Sequence, residues 1–212
     1  MIPDSLTTTT LGVDDLAADD DLPGRIRLKQ VGWVLAAAFD QDPVTRWLVT
    51  EPSRYREAMI RFFTAIAEDA LAGGAVDAVV DGAGNPLAAA LWFDLTASRP
   101  DPAGSGDHRW EEVFGPDAPR WHLLDGLMTR THLEEPHWYL MALGVHPDIQ
   151  GYGLGSRLLT HGRHRLPGVA GYLEATTLRS RGLYARHGYG CLGEVHTPDG
   201  PPPMWRMLLP AG

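Results

Sequence analysis

Three glycines at alternate positions, Gly151, Gly153 and Gly155, stand between an apolar run and an amphipathic one. Glycine lacks a Cβ, so backbone N–H groups can approach an anion closely, and a helix starting there adds favourable charge. The pattern reads as a phosphate site, although plain strand-to-helix turns share this composition. Two familiar phosphate loops fit poorly. A P-loop requires Lys-Ser/Thr after its glycines, whereas Ser156-Arg157 follows here. A Rossmann fingerprint requires G-x-G-x-x-G directly after its strand and an acidic residue ending the next strand. Here His146 to Gln150 intervene, while Glu174 does end the next apolar run. That spacing weakens the dinucleotide reading and leaves it open.

The loop needs a strand before it and a helix after it. Trp138–Val145 (WYLMALGV) is apolar nearly throughout, which predicts a strand buried on both faces. Gly144 inside it marks a bulge or a close backbone approach. A helix follows the loop to about Arg165. Val169–Ala175 reads as a strand, Leu178–His187 as a helix ending at Gly188, and Tyr189–Val195 and Met204–Leu209 as two last strands. Upstream, Thr7–Val13 suits a first strand. Apolar residues recur at helical spacing from Leu28 to Phe39. Asp42-Pro43 caps and opens a short helix over Val44–Val49, and Ser53 caps a longer one over Tyr55–Leu71 that Gly73-Gly74 stops. Ala75–Val80 and Leu87–Phe93 form a hairpin about Asp81–Asn85. Residues 96–107, with two prolines and two glycines, read as a mobile loop, and 108–132 as helix broken at Gly115-Pro116 and Pro119. No linker divides the chain. The expectation is one α/β domain over 28–212 behind an acidic tail, 1–27.

The chain has 212 residues, 44 % of them hydrophobic and 21 % charged, which excludes a disordered chain, a collagen-like fibre and a coiled coil. No apolar run approaches the ~18–20 residues that span a bilayer. Residues 1–21 lack the basic and apolar blocks of a secretory signal. A soluble cytoplasmic protein, monomer or homodimer, with no membrane partner is expected. The net charge of −9 argues against nucleic acid. Its distribution is uneven. Residues 1–21 carry six aspartates and no basic group, while residues 151–212 carry seven arginines against Glu174, Glu194 and Asp199, a net +4. That third suits a small polyanion. The single cysteine, Cys191, forms no intrachain disulfide, and His161 with His164 lacks the companions of a metal site, so no metal is expected.

The segment Val145-His-Pro-Asp-Ile-Gln150-Gly-Tyr-Gly153-Leu-Gly155 resembles the acetyl-CoA loop of the GNAT N-acetyltransferase superfamily, which reads Gln/Arg-x-x-Gly-x-Gly/Ala after a Val-x-Pro strand end. Leu183-Tyr184-Ala-Arg-His-Gly188-Tyr189 resembles the helix ending of the same family. A narrower likeness is to the puromycin N-acetyltransferases of actinobacteria. It is carried by Leu35–Phe39, Asp42–Arg46, Glu135–Leu140, Leu173-Glu174 and the ending around Trp205. The resemblance implies the GNAT fold: a central mixed, mostly antiparallel sheet of six to seven strands flanked by helices, splayed at a bulge near Gly144. It implies acetyl-CoA as cosubstrate, with backbone groups of Leu143, Gly144 and Val145 on the pantetheine arm and thioester. Gln150, Gly151, Tyr152, Gly153, Leu154, Gly155, Ser156 and Arg157 would surround the pyrophosphate, with Arg179 a further phosphate contact.

The same resemblance makes Tyr184 the acid that protonates the departing thiolate. Glu174 becomes the base that reaches the amine through water, with His137 and Glu135 as weaker candidates. Phe39, Trp47, Tyr139 and Trp205, and also Trp33, would line an aromatic acceptor site for the primary amine of a small molecule such as a puromycin-like antibiotic. Structural roles stand beside each of these: a satisfied core tyrosine for Tyr184, a strand-end salt bridge for Glu174, solvated surface for the arginines and core packing for the aromatics. Three departures from the family pattern stand out. Ser180 occupies a place often held by asparagine, Tyr152 a place more usually basic or polar, and an Asp-rich stretch over 14–21 interrupts the usual start. A non-catalytic CoA-binding module on the same fold is the alternative function.

Overall fold

The computed structural model describes residues 6–11, 22–97 and 108–212. Most of the loop expected over 96–107, and most of the acidic stretch, lie outside the described residues. Seven strands are present among them: β1 (Thr7–Leu11), β2 (Gly74–Val80), β3 (Pro86–Leu95), β4 (His137–Val145), β5 (Ala170–Ala175), β6 (Gly190–Val195) and β7 (Met204–Leu209). They form one sheet in the order β1-β2-β3-β4-β5-β7-β6. Every pairing is antiparallel except β4 with β5.

Five helices cover one face: α1 (Leu22–Ala38), α2 (Pro43–Leu48), α3 (Pro52–Gly73), α4 (Arg109–Phe114) and α5 (Ala118–Thr131). Two cover the other, α6 (Leu154–Gly162) and α7 (Leu178–Arg186). α2 starts as its sequence dictates: Asp42 Oδ1 accepts from Val44 N at 2.9 Å and Thr45 N at 3.1 Å, with Pro43 in the first turn. α3 begins earlier than expected. Glu51, not Ser53, is its cap, accepting from Ser53 N at 3.2 Å, because Pro52 takes the first helical position. Phe62 of α3 touches Trp110, Phe114 and Trp121 at ring separations of 5.1–5.6 Å, which holds α4 and α5 against it.

Two features of the sheet shape the site. First, β4 and β5 pair over only three residues each, His137–Tyr139 with Ala170–Tyr172, and then part. Second, the register of β4 against β3 slips at Met141: Leu91 faces Ala142 while Trp92 faces Leu140. The irregularity therefore falls three residues before Gly144. Gly144 is the close approach instead, since a Cβ there would lie 2.7 Å from Ala38 Cβ and 2.9 Å from Leu35 Cδ2 of α1. Any larger residue would push α1 off the strand.

The edge strand β1 is locked by a buried charge. Asp77, 0 % exposed, accepts from both Arg165 guanidinium nitrogens at 2.7 and 2.5 Å and from Thr10 Oγ1 at 2.7 Å. His161 Nε2 lies 3.6 Å from the same carboxylate. Asp77→Asn is expected to lower the free energy of unfolding by about 2–3 kcal/mol, because it leaves a mostly buried arginine without a counter-charge. Denaturant unfolding checks this, and a loss below about 0.5 kcal/mol, the range of ordinary surface substitutions, refutes it.

Candidate active site

The parting of β4 and β5 exposes the β5-facing edge of β4 from residue 140 onward, where no described strand pairs with it. An extended ligand can add to such an edge as another strand would. At its end a short 3₁₀ turn, Pro147–Ile149, leads into the glycine loop. Gly151 has φ +86° and Gly153 φ +81°, left-handed conformations that disfavour any side chain. Gly153 is the N-cap of α6, so the first N–H groups of that helix are unsatisfied from within it. Gly155 differs, having ordinary backbone but lying against Leu183, Leu143 and Val145. Gln150 ties the loop down, donating to Val145 O at 3.1 Å and accepting from Arg179 Nη1 at 3.0 Å. Leu154 is buried, Ser156 half-buried and Tyr152 58 % exposed. Arg157 is turned to Leu6 O at 2.7 Å. Ser180 closes a capping box with Thr177 at the start of α7, its Oγ accepting from Thr177 N at 3.2 Å.

Tyr184 enters the same region from α7. It is 7 % exposed, packs edge-on to Tyr189 at 6.0 Å, and its hydroxyl makes no hydrogen bond to another described residue. Burial, reinforced by Tyr189 and Asp42, raises its pKa well above the ordinary phenol value. Asp42 is near because Thr176, just after β5, donates to its Oδ2, which joins the turn between α1 and α2 to the end of β5. Burial raises the Asp42 carboxyl against three hydrogen bonds that lower it.

Glu174 sits on the opposite face of β5 from Leu173 and Ala175. Its side chain is 4 % exposed and both carboxylate oxygens are buried; no well-formed hydrogen bond reaches them from a described residue, and the Tyr139 and Tyr172 hydroxyls are the donors beside them. The salt bridge to an arginine does not form among the described residues. Arg206, its cross-strand neighbour, donates instead to Thr131 O at 2.9 Å. The nearest cation-forming group is His132, with Nδ1 at 3.7 Å from Oε1. Tyr139 and Tyr172 flank the carboxylate, and burial first, then its charge, raises both phenols. His137 Nε2 lies 3.1 Å from His132 Nε2, and His137 Nδ1 lies 2.6 Å from Glu135 O. Burial lowers the pKa of His137, with the backbone bond to Glu135 opposing. An unsolvated carboxylate with only two phenols and an imidazole beside it is a strong site for a cationic or proton-bearing group.

The aromatic candidates separate. Tyr139 lies in the Glu174 cluster, and Phe39 packs on Phe63 at 5.0 Å next to Gly144. Trp47 lies under Arg120, and Trp33, 46 % exposed, under Arg56. Trp205 lies on the α6–α7 face, with Arg181 over its ring at 5.6 Å. The sequence reading missed His132 and Tyr172. Tyr172 carries the period-two signal of a residue sharing a strand face with Glu174. His132 carries only its five-residue spacing from His137 across a turn.

A family model described as the acetyltransferase (GNAT) family matches residues 39–189. A peptidyl-lysine N-acetyltransferase of Salmonella typhimurium, YjaB, is 26 % identical over 106 residues, covering 46 % of this chain and 69 % of that protein. A crystal structure described as histone acetyltransferase HPA2 and related acetyltransferase, from Corynebacterium glutamicum, superposes with a TM-score of 0.69 at 30 % identity, covering 98 % of this chain and 97 % of that one. A polyamine N-acetyltransferase of Drosophila melanogaster shares the fold, with a TM-score of 0.64 at 18 % identity, covering 97 % of this chain and 99 % of that one. With the family model spanning well over half of its 212 residues, the chain belongs to the GNAT family of acetyltransferases.

Proposed function

We propose that the protein transfers an acetyl group from acetyl-CoA to the primary amine of a small molecule, with Glu174 as the base and Tyr184 as the acid. The observation that carries this is Glu174: a buried carboxylate with no arginine or lysine partner among the described residues, beside the parting of β4 and β5.

The residues present fit the cosubstrate. The free edge of β4 suits the pantetheine arm, and nothing lies within 4 Å of where a Cβ would stand on Gly151 or Gly153, so the loop is open to a pyrophosphate. Leu143 to Val145 would hold the thioester end, Gln150 to Arg157 the phosphates, and bound acetyl-CoA would supply an activated acetyl group. Glu174 draws the proton from the amine, freeing the lone pair that forms the N–C bond. Backbone N–H groups near Leu143 polarise the carbonyl. Tyr184 serves the sulfur as the C–S bond breaks. The narrower substrate reading, a puromycin-like antibiotic, rests on the sequence resemblance and on Phe39 and Tyr139 lying on the acceptor side.

The experiment is CoA titration by calorimetry, followed by thiol release from acetyl-CoA with puromycin, agmatine, polyamines and lysine peptides. Saturable CoA binding and turnover of at least one amine are expected. Absence of CoA binding overturns the reading, and binding without turnover across the panel makes the protein a non-catalytic CoA module.

A further inference from the structure

The hydrogen-bond pattern around Glu174 fixes where protons can reside. A backbone carbonyl only accepts, so His137 Nδ1, 2.6 Å from Glu135 O, carries a hydrogen. His137 is 2 % exposed, and burial disfavours its charged form, so its Nε2 carries a lone pair. His132 Nε2, 3.1 Å away, is then the donor. In neutral His132 the ring nitrogen without hydrogen is then Nδ1, and it faces Glu174 Oε1 at 3.7 Å. The His132 side chain is only 6 % exposed. The other groups facing the pair are Tyr139 and Tyr172 from β4 and β5, Arg206 from β7, and Asp125 of α5, whose charge acts on Tyr139. None of them is a better proton acceptor.

Resting on the reading that Glu174 meets the amine, we propose that Glu174 and His132 form one proton-accepting unit, with His137 as the positioning residue that keeps His132 Nδ1 free. The amine N–H bond breaks, its proton goes to a Glu174 oxygen and then to His132 Nδ1, and the electron pair stays on nitrogen for the N–C bond. The imidazolium left beside the carboxylate is neutralised by it, so Glu174 regains its charge within the same turnover. A histidine so placed lets an otherwise weak carboxylate base hold a proton near neutral pH.

Two measurements test this. Nitrogen-15 NMR of the histidines in the folded wild type reads the tautomers without any acceptor: His137 with hydrogen on Nδ1 and His132 with hydrogen on Nε2 are expected, and the reverse pair overturns the proposal. Profiles of kcat/KM against pH are then compared for wild type and His132→Asn, using acetyl-CoA and whichever of puromycin, agmatine and a lysine peptide turns over fastest. His132→Asn should lower kcat/KM about tenfold and move the acid limb to lower pH, since the remaining base is a lone carboxylate, with CoA affinity within twofold of wild type. An acid limb that stays in place overturns the relay. Glu174→Gln separates the two failures. If it keeps full activity, the reading of Glu174 itself falls; if it loses activity while the His132 variant keeps its acid limb, only the relay falls.

Discussion

Glu174→Gln is expected to lower kcat/KM about a thousandfold, near 4 kcal/mol of transition-state stabilisation, while leaving the protein as stable as the wild type or more so. Glutamine has the shape of glutamate, so packing against Tyr139, Tyr172 and His132 persists. No well-formed hydrogen bond from a described residue is lost, and the Tyr139 and Tyr172 hydroxyls beside the carboxylate can donate to the amide oxygen as well. It removes a desolvated charge whose nearest ionisable base is the His132 imidazole at 3.7 Å. Replacing such a charge by a neutral group of equal volume is commonly neutral or stabilising. A purely structural role gives the opposite pattern: loss of stability by several kcal/mol with kcat/KM close to wild type. A third pattern is also separable. If Glu174 only anchors an ammonium, KM rises while kcat holds. Equilibrium unfolding and steady-state kinetics on one preparation distinguish the three, and unchanged kcat removes Glu174 from the proton transfer.

The sheet was largely legible because its strands are short apolar runs bounded by glycine and proline. β4 is the clearest case: WYLMALGV admits little else. The parting of β4 from β5 was legible only through the loop that follows it, since nothing in the residues of β5 states how far a parallel pairing runs. Gly144 shows the limit of a local signal. A glycine in a strand signals a bulge or a close approach, and only the position of Leu35 and Ala38 decides for the approach. Trp205 illustrates the same limit in the site. Its face follows from the register that sets it opposite Ala175 and Arg206 opposite Glu174, a relation between strands thirty residues apart. His132 was illegible for a different reason. It stands at the end of the helix expected over 108–132, in the polar run Thr131-His-Leu-Glu-Glu-Pro-His137, where nothing local signals burial, and its burial comes from Tyr172 and Tyr139 closing on the ring at 4.8 and 4.7 Å.

The second large effect expected is at Tyr184, where phenylalanine should lower kcat about 10²–10³-fold without loss of CoA affinity or stability. The wild-type hydroxyl has no hydrogen-bond partner among the described residues, so its removal orphans nothing, and the ring keeps its contact with Tyr189. A tyrosine whose hydroxyl serves the fold would lose about 1 kcal/mol or more on this change. The raised pKa sharpens the role. Burial, Tyr189 and the nearby Asp42 all hold the phenol protonated, so the proton is present at every working pH. The same shift makes full transfer to a thiolate unfavourable, because a thiol is the stronger acid, near pKa ~8.5. Tyr184 therefore acts first as a hydrogen-bond donor to the charge growing on sulfur. Proton transfer follows only as the C–S bond completes its break. On that account kcat of the wild type stays level up to high pH with no tyrosine limb near pH 10, and Tyr184→Phe lowers the whole profile without changing its shape. An unchanged kcat in the phenylalanine variant would leave the sulfur to leave unassisted and return Tyr184 to the core of the α6–α7 face.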